Sequence, residues 1–464
     1  MNRDTLLPGK HAVAALALAA LTSCSVLPTI VPDLEIRSSS PIRLEGARGP
    51  LTASQSKAVL VRLERNGEET SIFDRHLALE QNISGSPLVV GNKVVLLKDG
   101  PATFKAMFDA IAKAKSHIHM ETYIIEDDEV GNQFADVLID RSRQGIEVAL
   151  VYDSVGSIGT PPEFFKRLKD GGVKVLEFNP VNPLGAKSGW QVNQRDHRKL
   201  LVVDGKVAFV GGINISSVYS SGSVGRDSKR RPAGTPPWRD THLQMAGPVV
   251  AEFQKLFLAT WSKQKGGALA SRDPFPAMAN TGTEVVRAIG SSSDEQAGLM
   301  YRTLMSAIES AETNVHLTVA YFVPDPQLRA ALMAAAGRGV DVKLILPGHS
   351  DSWLVFQAGR GSYDELLAGG VKIYERRGAL LHAKTALVDG VWSTIGSTNL
   401  DWRSFVHNDE INAVILGQEF AAQMQAMFEA DLALSDPIGL AQWQARPIGD
   451  HVKEIAARVW GYWL

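Results

Sequence analysis

The sequence predicts a duplicated α/β protein, in which two similar halves each form a mostly parallel sheet covered by helices. The composition, an internal repeat and the alternation of strand-like and helical runs support this fold class. Hydrophobic residues make up 45% of the 464 residues and charged residues 21%, which is ordinary for a globular chain with a large core. At about 150 residues per domain, this length suggests two or three domains, or two large ones.

The internal repeat consists of segments that recur in the same order. IHMETYIIEDD, GIEVALVYD and LKDGGVKVLEF are followed, later in the chain, by VHLTVAYFVPD, GVDVKLILP and LLAGGVKIYER. Gly339 follows Gly145 by 194 positions and Gly370 follows Gly172 by 198. Such regular self-similarity indicates two copies of one structural unit.

Within each copy, apolar strand-like runs alternate with helical stretches such as residues 132–144. This order is typical of βαβ units, which build a mostly parallel sheet with helices on its faces. We therefore predict a first half over residues 61–270 and a second half over residues 271–464.

The N-terminus has the order of a secretory signal. Arg3 and Lys10 precede an apolar run at residues 12–21, and small residues follow. A helix of this length rises about 15 Å, roughly half of the hydrocarbon core of a bilayer, so a membrane span is not expected. LTSC at residues 21–24 resembles a bacterial lipoprotein signal, which implies a signal peptide over residues 1–23 and a lipid on Cys24.

Cys24 is the single cysteine, which excludes an intramolecular disulfide and a cysteine-rich zinc site. The alternative is an ordinary signal peptide with an incidental buried cysteine. For lipoproteins, Ser25 after the cysteine implies a membrane-anchored protein of the bacterial cell envelope, with the outer membrane favoured. We predict a tether over residues 24–60, because its first part is rich in Pro, Ser and Gly and has no sustained period.

The net charge of -2 gives no general attraction to nucleic acid. The sequence contains no Walker loop and no cysteine pair with metal-ligand spacing. We therefore expect no cofactor, no metal and no nucleic-acid partner.

The residues that carry chemistry form one motif in each half. The first half contains HRKLLVVD and then GGIN, and the second contains HAKTALVD and then GSTN. Each member of the second set follows its counterpart by 185 positions: His197 and His382, Lys199 and Lys384, Asp204 and Asp389, Asn214 and Asn399. Residues i and i+2 of a strand face the same side, so His and Lys of each motif project together, while Arg198 or Ala383 faces away.

These motifs resemble the signature of the phospholipase D superfamily, a duplicated HxKxxxxD followed by a small-residue pair and Asn. The resemblance covers nearly all of the chain after residue 90. It is greatest for the bacterial cardiolipin synthase type, on WRDTHLQMAGP at 238–248, YFVPD at 321–325, NLDWRSF at 399–405 and NDE at 408–410. The family implies two α/β/α halves packed around one shared active site, a phosphodiester substrate and no metal.

The charge of a phosphodiester shields its phosphorus from nucleophiles, and two lysines neutralise that charge. A neutral imidazole can attack phosphorus, and a protonated imidazole can donate its proton to the leaving alkoxide. One histidine cannot do both at once, so the site needs one His from each half in opposite protonation states. By resemblance, His197 is the nucleophile and His382 the general acid, although the symmetry of the sequence alone leaves this order open.

Each His also needs a partner on its second ring nitrogen, which fixes its tautomer. Asp240 and Glu410 are the candidates, because each precedes a Gly by seven residues and they lie 170 positions apart. Asp240 lies 43 residues after His197, and Glu410 lies 28 residues after His382. The alternative is that both carboxylates form surface ion pairs.

The other motif residues have two interpretations each. We include Asp204 and Asp389 in the catalytic set, although a structural role under the motif strand is an equal interpretation. By resemblance, Asn214 and Asn399 hold phosphate oxygens together with the two lysines, and capping of a turn is their alternative.

Three further segments have open interpretations. An insertion in the first half is either a solvated loop or a contact for anionic headgroups, through Arg226, Lys229, Arg230 and Arg231. The C-terminal aromatic residues lie either at a membrane interface or against the core: Trp460, Tyr462 and Trp463. We expect Glu121 and the acidic run at 126–129 to form a solvated loop after a strand.

The resemblance predicts a membrane-bound phosphatidyltransferase that makes cardiolipin and glycerol from two phosphatidylglycerol molecules. Phosphatidylethanolamine is a further candidate substrate, and the oligomeric state is left open. Three alternatives are kept: hydrolysis of phospholipids to phosphatidic acid, a nuclease of the same superfamily, and an inactive lipid-binding scaffold.

Overall fold

A computed structural model describes residues 42–64, 72–182, 191, 193–220, 237–270, 273–292 and 298–460. All of them belong to one compact unit, Pro32–Leu464. The predicted signal peptide with Cys24, the basic residues at 226–231, and Tyr462 with Trp463 lie outside the described residues. The domain bounds at 61–270 and 271–464 stay predictions. The tether predicted over 24–60 is too long, because Leu44–Gly46 already forms a strand that pairs with the strand Leu88–Leu97, and Leu44 is buried.

The strands of the first half are β1 Leu44–Gly46, β2 Gly49–Pro50, β3 Leu88–Leu97, β4 His117–Thr122, β5 Glu147–Asp153, β6 Lys174–Phe178, β7 Arg195–Asp196, β8 Lys199–Val203, β9 Val207–Gly211, β10 Trp238–Arg239 and β11 His242–Ala246. Those of the second half are β12 Glu284–Ser291, β13 Asn314–Val319, β14 Asp341–Pro347, β15 Lys372–Arg376, β16 Leu380–Leu381, β17 Lys384–Val388, β18 Trp392–Gly396, β19 Asn408–Leu416 and β20 Ser435–Ile438.

The main sheet repeats one strand order in both halves. The first half runs β6, β5, β4, β8, β9, β11, β3, and the second runs β15, β14, β13, β17, β18, β19, β12. Antiparallel pairing of β3 with β12 joins them into one sheet. The predicted α/β class and duplication are confirmed. In each order the parallel part is confined to the first three strands, and the remaining neighbours are antiparallel.

The α-helices are α1 Ala53–Glu64, α2 Leu77–Ser84, α3 Gly100–Ala112, α4 Glu129–Arg143, α5 Pro162–Asp170, α6 Val250–Lys263, α7 Leu299–Ser310, α8 Pro326–Gly337, α9 Trp353–Arg360, α10 Tyr363–Ala368, α11 Gln418–Leu432, α12 Leu440–Gln444 and α13 Ile448–Arg458. A 3₁₀ helix, Ser217–Tyr219, and two π-helices, Ile72–His76 and Arg403–His407, complete them. None of the helices in the described residues is long and apolar enough to cross a membrane.

The repeated glycines mark the ends of equivalent helices. Helix α4 begins after Asp128 and α8 after Asp325, whose side chains accept hydrogen bonds from backbone N–H groups of the first turn. Beyond the C-terminal end of each helix, Gly145 has a φ of 85° and Gly339 a φ of 94°. This left-handed conformation favours glycine, which explains why the repeat preserves it.

Helices cover both faces of the sheet. On one face of the first half, α3, α4 and α5 bury Phe104, Phe134 and Phe165 in one hydrophobic cluster. On the other face, α6 and α11 contribute Phe253 and Phe420 to a cluster that includes strands of both halves. This shared core fixes the two halves against each other and so determines which segments meet at their junction.

Candidate active site

Two short parallel pairings cross between the halves and bring the motifs together. Strand β7 pairs with the start of β19, and the N–H of His197 donates to the carbonyl of Asp409 at 2.9 Å. Reciprocally, β10 pairs with β16, and the N–H of His382 donates to the carbonyl of Arg239 at 2.8 Å. The residue after each carbonyl is a carboxylate, so each half presents a carboxylate to the histidine of the other half.

Glu410 is the partner of His197. The Nδ1 atom of His197 lies 3.0 and 3.1 Å from the two carboxylate oxygens, and the amide of Asn408 donates to Oε1 at 3.2 Å. The hydroxyl of Ser397 also donates to this carboxylate. Burial raises the pKa of Glu410, but the contacts with His197, Lys199 and Ser397 outweigh it and lower that pKa to about 2. An ionised carboxylate only accepts hydrogen bonds, so Nδ1 carries the proton and Nε2 is left for chemistry.

Asp240 is the partner of His382. Its Oδ2 lies 2.7 Å from Nδ1 of His382, and its Oδ1 accepts from the N–H of Thr241 at 2.7 Å. Burial opposes ionisation of Asp240, but the contact with His382 and the charge of Lys384 lower its pKa overall. The hydroxyl of Tyr219 lies 3.2 Å from the same Nδ1.

The spacing along the chain indicated both carboxylates but not this exchange of partners. Asp240 comes from the first half and serves the second motif, whereas Glu410 comes from the second half and serves the first. Both are buried, with exposed fractions of 1% and 0%, so the alternative of surface ion pairs is wrong.

The two motif lysines are buried beside the histidines. Lys199 donates to the carbonyl of His197 at 2.5 Å, and Lys384 donates to the carbonyl of His382. Burial lowers the pKa of Lys199 to about 7 and that of Lys384 to about 8, and the charge of Lys384 contributes to the shift of Lys199. The two cations therefore interact with each other across the junction, an arrangement that favours an anion between them.

A tyrosine lies beside each lysine, and the sequence interpretation missed both. The Nζ of Lys199 lies 5.1 Å from the ring centroid of Tyr123, and that of Lys384 lies 5.9 Å from the ring centroid of Tyr321. Tyr321 follows Tyr123 by 198 positions, the offset that also relates two of the repeated glycines. The repeat therefore contained a signal for them.

Both histidines are held in the neutral form in the free site. Burial lowers the pKa of His197 to about 4, although Glu410 opposes the shift. Burial, followed by the charge of Lys384, also lowers the pKa of His382. A bound phosphodiester adds negative charge, which raises both values, so substrate itself favours protonation of one imidazole.

Asp204 and Asp389 lie away from the histidines and lysines of the site, which corrects their inclusion in the catalytic set. Asp204 is five residues beyond Lys199, about 16 Å of extended chain. Its carboxylate accepts from the N–H groups of three consecutive residues at 2.7 to 3.0 Å: Lys115, Ser116 and His117. Asp389 does the same at 2.8 to 3.1 Å: Glu312, Thr313 and Asn314. Both have a positive φ, 54° and 50°, so each forms a tight turn and fixes the start of a neighbouring strand.

The motif asparagines make contacts that fit the turn interpretation. Asn214 accepts from the N–H of Ile124 at 3.3 Å and donates to the hydroxyl of Tyr219 at 3.2 Å. The N–H of Asn399 donates to the hydroxyl of Ser404 at 3.2 Å. Phosphate binding by these side chains stays a prediction. Sequence interpretation also missed Tyr219, because its counterpart at the 185-position offset is Ser404 and no tyrosine is repeated there.

Glu121 is not in a solvated loop, as the sequence interpretation had placed it. It lies on β4, it is 1% exposed, and its Oε1 is 3.7 Å from the guanidinium of Arg198. Burial raises the pKa of Glu121. The acidic run at 126–129 is not only a solvated loop either, because Asp128 caps helix α4 and Glu129 is its first residue.

Comparison with known proteins places these motifs in a family. The family described as "Cardiolipin synthase, PLD-like domain" matches residues 107–221 and 304–432, and each match contains one complete His–Lys motif. The chain belongs to this family. A cardiolipin synthase from Geobacillus thermodenitrificans is 36% identical over 385 residues, which are 82% of this chain and 74% of that protein.

Other members of the family and one solved structure agree. Cardiolipin synthase 2 from Bacillus anthracis is 35% identical over 366 residues, which are 78% of this chain and 69% of that protein. The crystal structure of a phosphatidylserine synthase from Haemophilus influenzae has a TM-score of 0.61 at 12% identity, and covers 83% of this chain and 98% of that one. At this identity the structural likeness supports the fold. Among the described residues, no group of three His, Cys, Asp or Glu side chains could hold a metal ion.

Proposed function

We propose that this protein synthesises cardiolipin by transferring a phosphatidyl group from one phosphatidylglycerol to a hydroxyl of another. The observation that carries the proposal is the pair of buried His–carboxylate units, each built from both halves, next to two buried lysines. Cardiolipin synthases that are about one-third identical over most of the chain support the choice of substrate.

In the first step, Nε2 of His197 attacks the phosphorus of phosphatidylglycerol. The bond from phosphorus to the headgroup oxygen breaks, and His382 donates its proton to the departing glycerol. Lys199 and Lys384 balance the charge of the phosphate, while Glu410 stabilises the positive imidazole ring of the phosphohistidine.

In the second step, His382 is neutral and accepts a proton from the headgroup hydroxyl of a second phosphatidylglycerol. That oxygen attacks phosphorus, the phosphorus–nitrogen bond breaks, and cardiolipin is released. The balance is two phosphatidylglycerols in, one cardiolipin and one glycerol out. Water in place of the second lipid would give phosphatidic acid, and phosphatidylethanolamine would replace phosphatidylglycerol as a donor by the same steps.

The choice of His197 as nucleophile rests on the resemblance, since a buried carboxylate holds Nδ1 of both rings, and the contacts of His197 are compatible with that role. Both oxygens of Glu410 contact its Nδ1, and that carboxylate is itself fixed by Ser397 and Asn408. A ring that carries a covalent phosphatidyl group needs such a constraint, because its Nε2 must keep its position through both steps.

We also propose that the mature chain begins at Cys24 and is lipid-anchored there, followed by a tether that ends before β1 at Leu44 and by the two halves predicted at 61–270 and 271–464. The anchor would keep an enzyme whose substrates are phospholipids at the surface of a bacterial membrane, with the outer membrane favoured. Incorporation of labelled fatty acid should be lost in Cys24→Ala, and retention would overturn the anchor.

The reaction is tested by incubating purified protein with labelled phosphatidylglycerol and resolving the products by mass. We expect cardiolipin and glycerol in equal amounts. Phosphatidic acid as the main product would instead indicate hydrolysis, and the absence of any product would contradict phosphatidyl transfer.

The two histidines are separated by trapping the phosphoenzyme. His197→Asn should abolish labelling of the protein, with activity lower by more than about 10³-fold. His382→Asn should still be labelled by a substrate with a good leaving group, because the general acid is then dispensable. Labelling of His197→Asn would reverse the assignment.

A further inference from the structure

Helix α13 presents an apolar face to the outside of the molecule. This outer face consists of residues of α13 and the two residues that follow it, which are between 55% and 81% exposed: Ile448, Val452, Ile455, Val459 and Trp460. Spacings of four, three and four residues place the first four on one side of a helix. Scattered exposed apolar residues are ordinary, but a contiguous exposed stripe of this kind indicates an interaction site.

The side of α13 that faces the body combines a buried ion pair with a small apolar contact. Glu454 is 4% exposed and accepts two hydrogen bonds from the guanidinium of Arg446, at 2.6 and 3.2 Å. That guanidinium lies 3.2 Å from the ring centroid of Trp443. The buried Ala457 packs with Val323 and Ala358. The helix therefore buries a charged residue and exposes its large apolar ones, the reverse of a helix that only covers a core.

This helix is connected to the candidate active site through α9. It packs on α9, whose first residue, Trp353, is also exposed. Two residues earlier, the carboxylate of Asp351 accepts a hydrogen bond from the hydroxyl of Tyr321 at 2.8 Å. The ring of Tyr321 lies 6.1 Å from that of His382 and next to Lys384. Helix α9 and the side chains of Asp351 and Tyr321 thus connect the outer face to the candidate active site.

We propose that the outer face of α13, together with Trp353, inserts into the interface of a phospholipid bilayer and holds the active site at the membrane surface. This inference rests on the phospholipid substrate proposed above. A surface helix with an apolar stripe and indole rings lies in the plane of the interface, with its apolar side among the acyl chains. Docking in this way lets a headgroup reach the lysines while its chains stay in the membrane.

The size of the face favours a bilayer over a second protein. A standard protein interface uses roughly 20–30 residues on each side, whereas this face consists of three residues of α13, the two residues after it, and Trp353 at the start of α9. Such a stripe can insert into a lipid interface, because the acyl chains adapt to its shape and binding requires buried apolar area but no complementary partner surface.

The experiment measures binding of the full chain to vesicles of phosphatidylglycerol and phosphatidylethanolamine by sedimentation. All proteins carry Cys24→Ala, so that a lipid at that position cannot hide the effect. The test variant combines Val452→Ser, Ile455→Ser and Val459→Ser, and we expect its partition coefficient to fall about tenfold or more.

A matched control combines Val61→Ser and Phe275→Ser, two exposed apolar residues far from the site. Helix α1 carries Val61 and approaches Gly417, at the distant end of β19, and Phe275 adjoins prolines that pack on the turn at Gly205. The control should bind vesicles as the parent does. Equal binding by the test variant and the parent would overturn the proposal. Loss of self-association in the test variant with unchanged vesicle binding would also overturn it, in favour of a second copy of the chain.

Two measurements keep this inference distinct from the proposed function. Both variants should transfer the phosphatidyl group of monomeric short-chain phosphatidylglycerol at the parent rate, because the reacting residues are untouched. If the parent itself fails on this substrate, the proposed function fails while the vesicle result stands. In addition, brominated lipids should quench less tryptophan fluorescence in a Trp353→Phe and Trp460→Phe variant than in the parent, and equal quenching would contradict insertion of this face.

Discussion

The two motifs present the same side chains, His and Lys, to the candidate active site. On the side of each motif that faces away from the site, the surroundings differ. In the first half, Arg198 points away from the site into a buried polar network and donates to Thr260 at 2.6 Å and to the carbonyl of Ser291 at 2.7 Å. In the second half, Ala383 occupies the equivalent position and packs in an apolar cluster with Ile345, Leu381 and Phe428.

Within the two motifs, the face that handles phosphate is therefore the same in both halves, whereas the face behind it differs. Arg198 has a structural role. Its Nε donates to the carbonyl of Glu410 at 3.2 Å, and its guanidinium offsets the negative charges of Glu121 and Asp196. It therefore links the first motif to strands of the second half. Ala383 itself packs against apolar side chains of its cluster, so the residues directly behind the two motif histidines differ in chemistry.

The largest effects on turnover should come from Glu410 and Asp240, the carboxylates that each half presents to the histidine of the other half. Glu410→Gln and Asp240→Asn keep the shape of each side chain but no longer supply an ionised acceptor for Nδ1. We expect turnover to fall by roughly 10²–10⁴-fold in each, with little change in KM. Glu410→Gln should slow formation of the phosphoenzyme, whereas Asp240→Asn should mainly slow substrates with poor leaving groups. The reverse pattern in rapid-quench labelling would exchange the roles of the two halves.

Because Arg198 lies in a polar network and Ala383 in an apolar cluster, we expect substitutions at these two positions to change the free energy of unfolding unequally. Arg198→Ala leaves buried carboxyl groups without their cation and should lower the free energy of unfolding by about 3–5 kcal/mol. The matched change Ala383→Gly should cost about 1 kcal/mol. Chemical denaturation measures both, and equal losses would show that the polar network does not support the first motif.

The loss of stability in Arg198→Ala should depend on pH. Burial raises the pKa of Glu121 and of Asp196, and removal of Arg198 raises these values further. A carboxyl group with a raised folded pKa favours the folded state below its unfolded pKa, and this contribution falls as pH rises through the folded value. The destabilisation of Arg198→Ala should therefore be smallest near pH 4 and grow towards neutral pH.

The motif aspartates should behave alike in both halves, because each accepts hydrogen bonds from three consecutive backbone N–H groups. Asp204→Ala or Asp389→Ala removes the acceptor of three backbone N–H groups and should destabilise by about 1–3 kcal/mol. Turnover of the folded protein at low temperature should stay near the parent value. Asp204→Asn is the matched control, since Asn tolerates the left-handed turn. A large loss of turnover without loss of stability would return these residues to the catalytic set.

The smallest effect concerns the lysines and is seen in the pH profile. The pKa of Lys199 is lowered to about 7, so its positive charge is lost as pH rises through that value and the phosphodiester should bind less well. We expect kcat/KM to fall on the alkaline side from pH 7 upward. In Lys199→Arg the guanidinium stays charged, and the fall should move towards the value of Lys384, about 8. An unchanged profile would show that another group controls it.

Much of the architecture could be predicted from the sequence because it depends on local patterns. Strand and helix periodicity, the repeat and the glycines after α4 and α8 reflect the preferences of neighbouring residues. The histidines and lysines of the site were found in the same way, since two equal spacings make coincidence a poor explanation. The local pattern around Glu121 led to the wrong prediction of a solvated loop, because nothing in it shows that Arg198, distant in sequence, offsets its charge in the buried site.

The sequence by itself determined the fold class, the duplication and the chemistry of the two motifs. Only the tertiary structure decided which carboxylate serves which histidine, because the partners are 213 and 142 residues apart and meet only where strands of opposite halves pair. It also decided that the motif aspartates build turns and that α13 faces outward. Each of these outcomes depends on packing between segments that the chain order does not bring together.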